Sequence, residues 1–86
     1  MDRNKANVGL CAILTTVAET GTAPEGVLYA GMMSKGYTLD DFGILMSVLR
    51  DGAFVSVSFN EVRLTDAGWD MAGRINAAVG GAPCQP

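Results

Sequence analysis

The sequence predicts a mainly α-helical domain that carries one small β-hairpin. Two observations support this. Apolar residues recur at helical spacing through 7–19, 39–51 and 66–79, and a capping pattern at 22–25 opens a further helix. Between residues 52 and 65 the period drops to two, as Val55, Val57 and Phe59 alternate with Ser56 and Ser58.

In the first helix, Leu10, Ile13, Leu14 and Val17 form one apolar stripe, with Asn7 as the expected cap. Gly21 breaks the pattern. Thr22-Ala23-Pro24-Glu25 then matches a capping box, in which Thr22 accepts a backbone N–H and Glu25 reaches back to the cap residue, so a second helix is expected to about Ser34. The turn Ser34-Lys35-Gly36-Tyr37 follows, and Gly36 can take the left-handed conformation that closes a helix. Thr38 is the expected cap of a third helix over Leu39 to Asp51. Its first turn holds Asp40 and Asp41, where the positive end of the helix dipole favours carboxylates.

After Gly52 a strand is expected through Phe59, with a turn at Asn60 and Glu61 and a return strand in which Val62 and Leu64 flank an outward Arg63. Thr65 is the expected cap of the fourth helix, which aligns Ala67, Met71, Ile75, Ala78 and Val79 on one face. Residues 80–86, Gly-Gly-Ala-Pro-Cys-Gln-Pro, read as a loose tail, so the chain divides into one domain over 1–79 and a short C-terminal extension.

Composition narrows the function classes. The chain has 86 residues, 49% of them hydrophobic and 17% charged, which suits a folded domain and not a disordered one. Its net charge is −3 and its pI about 4.5. The six basic residues, Arg3, Lys5, Lys35, Arg50, Arg63 and Arg74, are scattered, so no run tracks a phosphate backbone. Histidine is absent and Cys11 and Cys84 stand far apart, which leaves no zinc ligand set. The apolar run from Val8 to Ala18 is short, carries Thr15 and Thr16 and meets Glu19 at once, so the chain is read as cytoplasmic, without a membrane segment. Its serines and cysteines have no partner base, Asp40 and Asp41 splay about 100° apart on a helix, and 21–26 lacks the lysine of a phosphate loop. No catalysis, cofactor or small-molecule ligand is expected. The methionines read as fillers of a small core.

The order of elements resembles the winged helix-turn-helix of small prokaryotic regulators. The resemblance is closest over residues 62–75, from Val62 to Ile75, which is similar to the return strand of the wing and the following helix in MarR-like and PadR-like proteins, where a hydrophobic-x-Leu-Thr-x-x-Gly pattern leads into an amphipathic helix. It spans roughly residues 7 to 79. It implies the architecture α1-(β1)-α2-α3-β2-β3-α4, in which a short strand near Thr22 completes the sheet, the third helix is the recognition helix, and residues 53–64 are the wing. It further implies a homodimer built through the first and last helices.

Residues about 100° apart place Leu39, Phe42, Leu45, Met46 and Leu49 toward the core. The opposite side then presents Asp40, Ile44, Ser47, Val48 and Asp51, an acidic and apolar surface. Helices that read DNA present Arg, Lys, Asn, Gln or Ser to base edges, and here Ser47 alone suits that chemistry. The expected wing tip at 58–61 brings a glutamate and no cation.

Two functions follow. In the first, this face, with Trp69 either packed against the wing or exposed as an anchor, binds a protein partner, as an adaptor or a small inhibitor of the kind phages encode. In the second, a homodimeric transcriptional regulator contacts DNA through Ser34, Lys35, Thr38, Ser47, Arg50 and Arg63. A plainer reading also stands: Asp40 and Asp41 serve only the helix start, worth about 0.3 to 1 kcal/mol, and Ile44 and Val48 are covered by the wing or tail. Cys11 reads as a small buried hydrophobe, and Cys84 as a free thiol or a cross-link between copies.

Overall fold

The computed structural model describes residues 1–78, so Val79 and the expected tail at 80–86, with Cys84, lie outside the described residues. The elements run α1 (Arg3–Thr20), β1 (Thr22–Pro24), α2 (Glu25–Ser34), α3 (Leu39–Asp51), β2 (Val55–Ser58), β3 (Glu61–Leu64) and α4 (Asp66–Ala78). The described chain is therefore mainly helical, with four helices and a small three-stranded antiparallel sheet in the order β1-β3-β2. The central strand pairs Val62 with Ala23 on one side and with Val57 on the other, and Val62 is completely buried.

The helix α1 packs against every other helix and against β1 and β3, and buries Gly9, Ala12, Ile13, Leu14 and Val17. It begins earlier than expected. Asp2 is the cap, accepting from the Lys5 backbone N–H at 2.7 Å, and Asn7 lies exposed inside the helix. The added turn is held from outside: the Tyr37 hydroxyl donates to the Lys5 carbonyl at 2.6 Å, and Lys5 Nζ donates to the Gly36 carbonyl at 2.9 Å. Tyr37 is buried, and burial together with the Asp2 and Asp41 carboxylates pushes its hydroxyl pKa up, which keeps it a donor. Where α1 passes α3, a Cβ on Gly9 would lie 2.7 Å from Leu45 Cδ1, so glycine sets the closeness of the two helices.

The expected capping box at 22–25 does not form. Thr22, Ala23 and Pro24 are extended and pair with Arg63, Val62 and Glu61, and α2 starts without a side-chain cap. Sheet pairing takes precedence here, and the Glu25 N–H that a cap would have served is satisfied across the sheet by the Asn60 carbonyl at 2.7 Å. The turn after α2 is as expected, with Gly36 at φ +93°. Thr38 and Asp41 form a reciprocal box at the start of α3, each backbone N–H donating to the other's side chain at 3.1 Å.

The hairpin turns one residue earlier than the alternation suggested. Phe59 and Asn60 occupy its tip, both left-handed, at φ 50° and 63°, and Glu61 is already in β3. A two-residue turn with both central residues at positive φ matches the right-handed twist of the strands, which is why this length prevails.

The Leu-Thr-x-x-Gly pattern has a clear geometric basis. Thr65 Oγ1 accepts from the Gly68 N–H at 3.1 Å and donates to the Ala53 carbonyl, while the Thr65 N–H donates to the Phe54 carbonyl at 3.0 Å. A Cβ on Gly68 would lie 2.0 Å from that same Phe54 oxygen. Gly68 must therefore face inward, which rotates α4 so that Gly68, Met71, Ala72 and Ile75 turn toward the core and Ala67, expected inside, is exposed. Among the described residues no helix is long and apolar enough to cross a membrane, and no cluster of ligating side chains could hold a metal ion.

Candidate protein-contact face

The inner side of α3 carries Phe42, Leu45, Met46 and Leu49, all buried in one continuous core with α1, the sheet and Tyr37. Leu39, expected with them, is 62% exposed. Its direction on the helix lies within about 20° of that of Met46, which is buried, so the difference lies in what packs at this end and not in angle. Tyr37 occupies the core at this end instead.

Leu39 thus joins the outer side. There Ile44 is 55% and Val48 46% exposed, so the hairpin does not cover them. Leu39, Asp40, Gly43, Ile44, Ser47, Val48, Arg50 and Asp51 together line one shallow open depression. Helical geometry arranges it: Gly43 and Ser47 form a low strip, Leu39 rises on one side, Ile44 and Val48 rise on the other, and the two carboxylates stand near opposite ends. A Cβ on Gly43 would meet nothing within 4 Å, so no contact in the fold requires glycine at this position.

Charge on the face is sparse. Asp40 and Asp51 oppose the single cation Arg50, which makes no ion pair among the described residues; the pairs present there are Arg63–Glu61 at 3.9 Å and Arg74–Asp70 at 3.1 Å. Asp41 lies at the edge, its carboxyl held below the usual range chiefly by the Thr38 backbone N–H. Cys11 is partly buried, and burial raises its thiol pKa, so it stays protonated.

The residues of the DNA-contact reading come from several elements. Ser47 and Arg50 share the depression, whereas Ser34, Lys35 and Thr38 belong to the α2–α3 turn and Arg63 to the central strand, beside Glu61. Ser34 Oγ donates to the Gly31 carbonyl at 2.7 Å and Thr38 Oγ1 is taken by the cap. Near that turn the Lys5 ammonium is spent on the Gly36 carbonyl and on the Tyr37 ring, 5.0 Å from its centroid.

Trp69 does not line the depression; it projects from α4 at 47% exposure, neither sealed against the hairpin nor fully free. The most exposed large hydrophobic side chain among the described residues is one that periodicity does not place correctly. Phe59, placed by alternation on a half-buried strand, stands at the hairpin tip, 99% exposed. The asparagine beside it was the available signal, since Asn tolerates the left-handed region that a two-residue turn needs. Comparison of the chain with protein-family models, curated proteins and solved structures gives no significant match.

Proposed function

We propose that the chain is a winged-helix module that binds a protein partner through the outer side of α3. The winged-helix reading is supported by the order of elements, by the helix-turn-helix of α2 and α3, and by the pairing of β1 with the hairpin that follows α3. In that fold α3 holds the recognition position. The observation that carries the protein-binding reading is the solvent exposure of Leu39, Ile44 and Val48 on this helix, beside two carboxylates. Apolar side chains at adjacent turns gain by leaving water against a complementary surface, about 25 cal/mol per Å². The carboxylates would repel phosphates at the same place.

Two measurements test the reading. In a titration of mixed duplex DNA across a salt series, the chain is expected to show no binding; tight binding that weakens steeply with salt counts phosphate contacts and would overturn it in favour of the transcriptional regulator. Affinity capture from cells producing the chain is expected to recover a protein that the Ile44→Ser/Val48→Ser variant loses. Equal recovery by a folded variant would place the contact elsewhere.

A further inference from the structure

We infer that the partner presents an amphipathic helix to α3, with one apolar stripe and a Lys or Arg near each end. The inference rests on the protein-binding reading of this face and goes on to the chemistry of its occupant. The depression runs the length of α3, and the twelve residues from Asp40 to Asp51 span about 16 Å, roughly three turns of a facing helix. Its low strip of Gly43 and Ser47, between Leu39 and the Ile44–Val48 pair, lets a second helix lie close along the first.

Backbone chemistry selects a helix over a strand. The face is the side of a helix whose own N–H and C=O groups are paired along its axis, so an extended segment seated here would bury main-chain polar groups without partners. A helix brings its own satisfied. Charge selects the ends. Asp40 and Asp51 bracket an apolar centre, and Arg50, the one cation on this face, stands next to Asp51 in the last turn, directed about 100° away from it along the helix surface. Asp51 is not explained by α3 itself, because a carboxylate in the last turn opposes the helix dipole, and a cation on the partner would relieve it. The same pattern rejects a second copy of this chain: an antiparallel two-fold pairing of the faces sets Asp40 of each chain against Asp51 of the other, two like-charge contacts per dimer.

The test is a selection from a display library of randomised helical peptides on the immobilised full chain, with counter-selection on the folded Ile44→Ser/Val48→Ser variant. Enriched peptides are expected to carry basic residues at both ends of an apolar stripe. Synthesised and measured by fluorescence anisotropy, they should bind Asp40→Asn/Asp51→Asn at least about tenfold more weakly at low salt. They should also lose affinity for Gly43→Leu, which fills the low strip while leaving the melting temperature equal or higher. Enrichment of acidic or uncharged peptides, or full affinity for the Asp40→Asn/Asp51→Asn variant, would overturn the basic helix yet leave the protein-binding face standing. Peptides that bind the Ile44→Ser/Val48→Ser variant as well as the parent chain would remove both.

Discussion

Two glycines, Gly68 in α4 and Gly43 in α3, show how differently the fold treats two of its regions. At Gly68 the structure demands glycine: α4 comes so close to the turn after α3 that a side chain would strike the Phe54 carbonyl at 2.0 Å. At Gly43 the structure demands nothing, since an added Cβ meets open space, and glycine weakens a helix interior by about 0.5 to 1 kcal/mol relative to alanine. The first region is a clasp in which the glycine is explained by packing. The second is a surface on which a locally unfavourable residue sits beside exposed Leu39, Ile44 and Val48, and departures of that kind concentrate where a protein meets something else.

The largest expected effect breaks the clasp. Gly68→Ala forces backbone against backbone, with no flexible side chain to yield, and is expected to destabilise the domain by about 3 kcal/mol or more, read from urea denaturation. Thr65→Ala should follow at about 1 to 2 kcal/mol, because it removes both the cap to Gly68 and the hydroxyl bond to the Ala53 carbonyl. A Gly68→Ala protein of parental stability would mean that α4 can withdraw from the turn, and the clasp would not be rigid.

The sequence made the clasp visible as Leu-Thr-x-x-Gly and α3 visible as a capped, two-sided helix, since both depend on contacts within a few residues. Local signals failed where a distant partner decided the outcome. Thr22 to Glu25 has the letters of a capping box, but β3 recruits those residues into a sheet. Asn7 is a good cap by type, yet Tyr37 and Gly36 hold the preceding turn in the helix. Alternation carried Phe59 into a strand that strand twist ends one residue sooner. On the candidate face, Asp40, Ile44, Ser47, Val48 and Asp51 followed from angular position alone. Leu39 was misassigned because the core place near it is filled by Tyr37, from a turn whose direction no periodicity describes.

The outer side of α3 gives the opposite sign. Gly43→Ala is expected to stabilise the domain by about 0.5 to 1 kcal/mol, because it removes backbone freedom from the unfolded chain and adds no clash to the folded one. Thermal denaturation of the two proteins side by side checks it. A loss of stability would show that Gly43 is needed by the fold after all, and the contrast with Gly68 would collapse.

The smallest effect concerns the start of the same helix. Asp41 accepts from the Thr38 N–H, and this bond, with the Thr38 hydroxyl and the nearby Lys5 charge, lowers its carboxyl pKa in the folded protein. A depressed carboxyl means that the unfolded chain binds the proton more readily, so in the range between the two values stability rises with pH. The contribution is complete above the unfolded-state carboxylate range and is lost as pH falls through the lower, folded value. Asp41→Asn keeps an oxygen for the bond but has no charge to titrate. Denaturation of parent and variant across acid pH should therefore show a stability difference that is constant from neutral to mildly acidic conditions and narrows only at the acid end. A difference that stays constant throughout would mean the box at Thr38 holds its geometry without drawing on the charge of Asp41.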